Sequence, residues 1–342
     1  GRFASEAKGH GVPEVMEAVA LRGGRIRPRV VLAKLVASGV CIASGGSVGR
    51  EGPIVQIGSA IASSVGPWLR VGERRMRTLV GCGAAAGIAA TFNAPVAGAL
   101  FAVEIILGDF GVTQFSPIVI SSVTATVVSR HFLGDFPAFE VPAYRLVSGT
   151  ELFAYGVLGI IAGLVALIFV RALYGAEDLF DEIRLPAVLK PAFGGVLIGL
   201  IAIRYPEIFG VGYEAINEAL TGNLGWKLLL ILVVVKIVAV SLTIGSGGSG
   251  GIFAPSLFIG AMAGGAVGTV VHSLWPEISA SPGAYALVGM GAVVAAGTHA
   301  PITAIVMIFE LTGDYKIILP LMISCIIATL LATRLQKASI YT

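Results

Sequence analysis

The longest uncharged stretch of the chain does most to limit its possible folds. Forty residues, Ile237 to Pro276, contain no Asp, Glu, Lys or Arg, although about 20 apolar residues are enough for a helix to span a membrane. The middle of this stretch, Gly245–Gly251, consists of five glycines and two serines. Such a segment breaks a helix, and a broken helix at membrane depth lines a cavity or is buried in protein. The stretch therefore predicts an all-α membrane protein with interrupted helices.

The composition also indicates a multi-pass integral membrane protein. Of the 342 residues, 56% are hydrophobic and 13% are charged, whereas soluble domains carry roughly 25% charged residues. The net charge of +3 comes from scattered basic residues, so we expect no nucleic-acid partner. Cys41, Cys82 and Cys325 lie far apart in apolar sequence, and we therefore expect no disulfide framework, no metal site and no cofactor.

Breaks and charged segments divide the remaining apolar sequence. The 26 uncharged residues from Thr78 to Val103 are split by Asn93-Ala94-Pro95, because a proline ends the helix before it. Arg22–Arg29 and Arg70–Arg77 contain four arginines each and are predicted to face the cytosol. Other apolar helices are predicted near 115–128, 152–170, 187–203, 228–242, 285–296, 301–308 and 317–331, with a polar loop at 130–150 that includes Pro137 and Pro142, and a helix-ending turn at Gly313-Asp314.

The motif Gly49-Arg50-Glu51-Gly52-Pro53 places two charges beside apolar sequence. The following residues, Ile54–Leu69, contain no charged side chain, so Pro53 is predicted in the first turn of a membrane-embedded helix. The unpaired N–H groups at a helix start attract negative charge. We therefore predict a buried place for an anion or for the carboxylate of Glu51, and charged groups within a membrane are functional candidates.

Two other segments combine glycine and proline in the same way. Lys8–Glu14 contains Gly9, Gly11 and Pro13, and predicts a helix that runs to about Ala20. The residues Ile252-Phe253-Ala254-Pro255 follow the glycine-rich break. Both segments are predicted to be anion-facing helix starts.

Matched motifs at constant separation indicate an internal repeat. Pro53, Gly58 and Gly66 precede Pro255, Gly260 and Gly268 by 202 residues, and Ala94, Pro95 and Glu104 precede Ala300, Pro301 and Glu310 by 206 residues. Transporters built from two related halves carry broken helices at corresponding positions, with the substrate near the bilayer midplane. We predict one transmembrane domain over residues 1–342, with inverted-topology repeats at about 1–133 and 149–336 and the start of a last helix at 337–342.

Together these motifs resemble the CLC family of chloride channels and proton-coupled chloride exchangers. The resemblance rests on Gly9 to Pro13, Gly49 to Pro53, Gly251 to Pro255 and Tyr341, in that order. It implies a CLC-type fold with many short, tilted and broken transmembrane helices. It also implies chloride as the transported ion, a homodimer in the bilayer with one anion path per subunit, and further family helices before Gly1.

The resemblance also implies roles for individual residues. Glu51 corresponds to the gating glutamate, whose carboxylate occupies the outer anion site and moves away when it is protonated or displaced by chloride. The backbone N–H groups of Ile252 and Phe253 and the hydroxyl of Tyr341 correspond to anion ligands. The complete predicted anion-binding set is His10, Arg50, Gly52, Ile252, Phe253, Ala254 and Tyr341, and Glu51 is also the proton-transfer candidate.

One departure from the family pattern is His10, which stands where chloride-selective members usually have serine. An imidazole donates a hydrogen bond when neutral and adds a full charge when protonated. The hypothesis is that His10 lines the central site and makes transport respond to pH near neutrality. The alternative is a ring turned towards the cytosolic solvent.

The other departure is Ile105, which follows Glu104. Exchangers of the bacterial type have two successive glutamates here, and the second transfers protons. Since isoleucine cannot carry a proton, we predict a passive chloride channel, with proton-coupled exchange as the alternative and Glu104 as a structural carboxylate. The membrane is predicted to be the plasma membrane.

Part of the sequence is also compatible with a different class of function. Gly248-Ser249-Gly250 with His272 and His299 could supply the nucleophile and base of a rhomboid-like intramembrane serine protease. That hypothesis leaves Glu51 and the repeat unexplained, and His299 aligns with Asn93 as a helix-start residue. We therefore predict that the protein is not an enzyme.

Overall fold

The computed structural model describes residues 8–135, 139, 141, 144, 147–313 and 315–342. Within these residues the chain forms α-helices joined by short turns, and no strand. Pro137, Pro142 and Asp314, which were placed in predicted turns, lie outside the described residues. The helices are α1 Val12–Leu21, α2 Arg29–Ala43, α3 Glu51–Val65, α4 Glu73–Phe92, α5 Pro95–Phe101, α6 Val112–Leu133, α7 Glu151–Glu182, α8 Lys190–Ala202, α9 Tyr213–Thr221, α10 Trp226–Gly245, α11 Phe253–Leu274, α12 Pro282–Thr298, α13 Pro301–Thr312 and α14 Ile318–Leu335.

The helices differ widely in length, as the breaks in the sequence predict. Five helical segments of the described chain are long and apolar enough to cross a membrane, namely α6, α7, α10, α11 and Tyr315–Leu335. Shorter apolar helices lie between them. The predicted breaks at Asn93-Ala94 and within Gly245–Gly251 are confirmed, because α4 ends at Phe92 and α10 at Gly245.

Helices α7 and α9 differ from the predicted pattern, whereas α3 agrees with it. Helix α7 continues to Glu182 instead of ending near 170, because charged residues end an apolar stretch without ending a helix. Helix α3 begins at Glu51, so Pro53 lies in its first turn as predicted. Helix α9, Tyr213–Thr221, was not predicted, because its nine residues are too few and too polar to appear as a membrane span.

Close glycine contacts join neighbouring helices in the same way in both halves. A Cβ on Gly58 of α3 would overlap the carbonyl oxygen of Gly83 in α4, and a Cβ on Gly260 of α11 would overlap that of Gly289 in α12. Small residues allow helix backbones in membranes to approach this closely. Gly58 and Gly260 are 202 residues apart, and Gly83 and Gly289 are 206 residues apart. These are the separations of the predicted repeat.

Two glutamates connect the halves through helix starts. The first N–H groups of α13 donate to the Glu104 carboxylate at 3.2 and 2.6 Å. The first N–H groups of α5 donate to the Glu310 carboxylate at 2.9 and 2.7 Å. Each half therefore supplies an anionic cap to a helix start of the other, where N–H groups lack intrahelical partners. These bonds give Glu104 the structural role predicted for it.

Candidate anion site

The glycine motifs of the two halves meet through their backbones. The N–H of Gly49 donates to the carbonyl of Gly251 at 2.7 Å, and the N–H of Gly251 donates to the carbonyl of Gly49 at 2.6 Å. The N–H of Gly250 donates to the carbonyl of Gly9, and the N–H of Gly9 donates to that of Gly248, both at 3.3 Å. Three segments that are remote in sequence thus converge on one place.

Two helices begin at this junction. Helix α3 starts at Glu51 and α11 starts at Phe253, positions that are 202 residues apart. Neither start has a side-chain cap from its N-cap residue, Arg50 or Ile252. The first N–H groups of a helix have no intrahelical partner and carry partial positive charge. The junction therefore presents backbone donors from both halves to one buried region.

The side chain of Glu51 fills the space between the two helix starts. It is only 1% exposed, and its Oε1 accepts a hydrogen bond of 3.3 Å from the hydroxyl of Tyr213. The backbone N–H of Ala254 lies near the carboxylate, and a Cβ on Gly49 would overlap Oε2. Oε2 is buried and has no hydrogen-bond partner among the described residues. Burial of an unpaired carboxylate oxygen is costly in free energy. The position is therefore better suited to an anion that binds reversibly than to a carboxylate with a purely structural role.

Gly52 allows the closest approach at the junction. A Cβ on Gly52 would overlap the carbonyl oxygen of His10 and would lie 3.1 Å from Cα of Gly251. The first turn of α3 therefore packs directly against the backbone of two other segments, and only glycine fits there.

His10 and Tyr341 form the other side of the region. Their ring centroids are 5.8 Å apart, both side chains are buried, and Tyr341 lies within electrostatic range of Glu51. The alternative in which His10 faces solvent is therefore wrong. The imidazole lies in the loop before α1, outside the spanning helices, where burial and the charge of Lys34 lower its pKa to about 3. This environment favours a neutral ring near pH 7, and the hypothesis of a neutral-pH response from His10 stays a prediction.

Other predicted residues are placed differently from Glu51. The side chain of Arg50 is exposed, and its guanidinium lies 3.5 Å from the carbonyl of Thr91, so this charge lies at the edge of the buried region. The ring of Phe253 packs between Phe92 and Phe101, which leaves its backbone at the junction. Ile105 is buried in a π-helical turn that follows α5.

Two buried lysines beside the junction were missed in the sequence. Lys34 of α2 and Lys236 of α10 are fully buried and are 202 residues apart. The ammonium of Lys34 donates to the carbonyl of Gly9 at 2.8 Å, and that of Lys236 donates to the carbonyl of Gly210 at 2.8 Å. Their common separation was the signal that could have identified them.

These lysines also show that α9 is the counterpart of α1. Gly9 and Gly11 before α1 have φ of +77° and +90°, and Gly210 and Gly212 before α9 have φ of +54° and +82°, a left-handed conformation that favours glycine. The Gly-x-Gly pattern is visible in both halves of the sequence. It predicts the start of α9 and thereby singles out Tyr213, the residue that contacts Glu51.

The residues of the protease hypothesis have other partners. The Nδ1 of His272 lies 3.2 Å from Oγ of Ser279. His299 ends α12 with φ of +58°, as Asn93 ends α4 with φ of +59°. The prediction of His299 as a helix-start residue is wrong, because the left-handed residue terminates the preceding helix and Ala300 follows before α13 begins.

Comparison with known proteins agrees with this geometry. The profile of the voltage gated chloride channel family matches residues 1–333. A putative chloride channel protein, ClcB-like, from Ralstonia nicotianae is 40% identical over 97% of this chain and 78% of its own length. The H(+)/Cl(-) exchange transporter ClcA of Vibrio parahaemolyticus is 36% identical over 100% of this chain and 74% of its own length.

Solved structures show the same fold. The crystal structure of a slow cyanobacterial Cl-/H+ antiporter has a TM-score of 0.88 at 30% identity, and the match covers 99% of this chain and 81% of that one. A CLC-type fluoride/proton antiporter has a TM-score of 0.84 at 25% identity, over 97% of this chain and 81% of that one. This chain is therefore an integral membrane protein of the CLC family of chloride transport proteins.

Proposed function

We propose that the protein exchanges chloride for protons across the membrane, with Glu51 as both gate and proton acceptor. The observation that carries the proposal is the burial of the Glu51 carboxylate between the starts of α3 and α11. When ionised, the carboxylate occupies a place suited to an anion and excludes chloride. When protonated, it loses the attraction of the helix starts and can leave. One group therefore links the movement of a proton to that of an anion.

The relatives favour exchange over the passive channel predicted from Ile105. The Vibrio relative is named an H(+)/Cl(-) exchange transporter, and the cyanobacterial neighbour is a Cl-/H+ antiporter. Ile105 is buried and cannot carry a proton, and the Glu104 carboxylate caps α13. The proton on the side of Ile105 must therefore follow a route that does not use this position. The passive channel remains the second candidate, supported by Ile105 and by the name of the Ralstonia relative.

The decisive experiment measures both ions in one chamber. Liposomes containing the purified protein are given a chloride gradient, and chloride and proton movements are recorded with electrodes. We expect chloride to drive uphill proton movement, and Glu51→Gln to abolish proton movement while chloride flux continues. Chloride flux without any proton movement in the unmodified protein would establish the passive channel instead.

A matched variant tests whether the effect is specific to Glu51 or follows from the loss of another carboxylate. Glu310→Gln also removes a carboxylate charge, but from the cap of α5, and it should retain proton coupling. Fluoride, bromide and nitrate can replace chloride in the same assay. We propose chloride as the main substrate, and a preference for fluoride would contradict that choice.

The homodimer and the cell membrane implied by the family resemblance also remain proposals. Apolar side chains on α6 and α14, such as Ile120, Val127, Leu319 and Ile326, are exposed and can face lipid or a second subunit. Light scattering of the detergent-solubilised protein should give twice the monomer mass. A monomer at all concentrations would contradict the dimer, and membrane fractionation tests the location.

A further inference from the structure

We infer that Tyr213 is a positioning residue for the gate, and that its hydroxyl holds the ionised carboxylate of Glu51 in the closed position. The inference rests on the proposed role of Glu51 and adds to it a ligand supplied by the second half of the chain. It starts from the hydrogen bond of 3.3 Å that the Tyr213 hydroxyl donates to Oε1 of Glu51. Tyr213 is the first residue of α9.

The ring of Tyr213 is fixed by its surroundings. The ring of Phe139 packs edge-on against it, with centroids 5.1 Å apart. The backbone before Tyr213 turns through Gly212, whose φ is +82°, and a Cβ on Gly212 would meet the ring of Phe258 in α11 at 2.7 Å. The hydroxyl is therefore aimed at Glu51 by the turn and by aromatic packing. At 3.3 Å the bond is long for a hydroxyl donor, and the charge of the ionised acceptor strengthens it.

Tyr213 also lines a cavity that is rich in acidic side chains. The cavity has a volume of about 530 Å³ and is lined by Tyr213 together with Glu207, Glu214 and Glu218. Three carboxylates disfavour chloride in this space. The tyrosine therefore contacts Glu51 beside a space that is unsuited to the anion.

The charged and titratable groups around this bond define its expected pH response. Arg50 precedes Glu51 and lies near the Tyr213 hydroxyl, and Tyr341 approaches Glu51 from the last segment. Neither replaces the uncharged donor that Tyr213 supplies to Oε1. Removal of the hydroxyl should therefore destabilise the ionised, closed gate, and the gate should be protonated and open at a higher pH.

The test compares Tyr213→Phe with the unmodified protein in liposomes at equal pH on both sides. Loss of the hydrogen bond removes stabilisation from the ionised carboxylate only, so we expect half-maximal chloride flux to move upward by about one pH unit. The control is Tyr205→Phe, which removes the same atom from a tyrosine whose ring packs against Arg204 at 5.2 Å. This control should leave the profile unchanged.

A second background distinguishes positioning from a structural effect. In Glu51→Ala no carboxylate remains, and Tyr213→Phe should then have no further effect on flux. Chloride binding measured by calorimetry provides a readout besides transport, and Tyr213→Phe should tighten it because the carboxylate competes less well for the site. An unshifted profile with unchanged chloride affinity, or an equal shift in the Glu51→Ala background, would overturn the inference. If Glu51→Ala alone left the pH dependence intact, the proposed gate itself would fail.

Discussion

The two halves of the molecule build the same helix starts but place different side chains on them. Gly49, Glu51 and Pro53 correspond to Gly251, Phe253 and Pro255, each 202 residues later. The backbones of the two motifs are paired, and both helices start without a side-chain cap. The first half places a carboxylate at the junction, whereas the second half directs an aromatic ring into the core.

This difference distinguishes the features that both halves share from the side chains that only one half carries. The duplicated features are the glycine crossings, the left-handed turns and the helix starts, together with the capping glutamates Glu104 and Glu310. They create a region with donors from both sides, which favours an anion whatever side chains surround it. The side chains that differ are Glu51 against Phe253 and His10 against Val211, and the proposed gate is one of them.

The largest expected effect comes from Gly52 and its counterpart Ala254. Gly52→Ala introduces a Cβ into the His10 carbonyl, and overpacking of this kind costs about 1–3 kcal/mol. We expect chloride flux to fall to background and size-exclusion chromatography to show aggregated protein. Ala254→Gly is the matched change in the other half and should be tolerated, at a cost of about 0.5–1 kcal/mol. Normal flux through Gly52→Ala would show that the close approach is not required.

The reciprocal caps should give a smaller and nearly symmetric effect. Glu104→Ala and Glu310→Ala each remove an anionic cap, which is worth about 1–2 kcal/mol. The cost should be larger for Glu104, because it also accepts a bond of 2.6 Å from the hydroxyl of Thr303. Thermal unfolding in detergent measures both variants.

A surface acid serves as the control for the caps. Glu17 forms an exposed ion pair with Arg22 at 2.7 Å, and such pairs contribute about 0–1 kcal/mol. Glu17→Ala should therefore leave the unfolding temperature almost unchanged. An equally small effect for Glu104→Ala would remove the structural role assigned to that residue.

The smallest expected effect concerns His10. The pKa of its imidazole is lowered to about 3, so the ring stays neutral from about pH 5 to 8. Below about pH 6.5, the ordinary pKa of histidine, the unfolded chain binds a proton that the folded chain does not. The fold therefore loses stability as the pH falls through this range. His10→Ser should change the preference for chloride over nitrate and leave the pH profile of flux unchanged in this range. A shifted profile would contradict the neutral ring.

Much of this fold could be predicted from the sequence. Charge-free stretches interrupted by Gly245–Gly251 and Asn93-Ala94-Pro95 identified the broken helices, because glycine and proline act locally on the backbone. The repeat correctly paired the starts of α3 and α11 and the glutamates Glu104 and Glu310. These are consequences of residue type and spacing, and a single sequence records both.

The missed features depend on contacts between distant residues. Lys34 and Lys236 are buried because each reaches backbone carbonyls of a turn that is remote in sequence. Arg50 is exposed although its neighbour Glu51 is buried, since adjacent positions at a helix start point in different directions. Tyr213 meets Glu51 from 162 residues away. The repeat can mark the lysines and Tyr213 as matched positions, but it does not predict which residues they contact.

The central claim is that helix starts from both halves create one anion site, which the carboxylate of Glu51 occupies. The most direct measurement is anomalous diffraction from crystals of the unmodified protein and of Glu51→Gln soaked in bromide. We predict a bromide peak between the starts of α3 and α11 in Glu51→Gln, at the place of the carboxylate, and none there in the unmodified protein at high pH. Bromide absent from this junction in both crystals, with peaks elsewhere along the protein, would contradict the account.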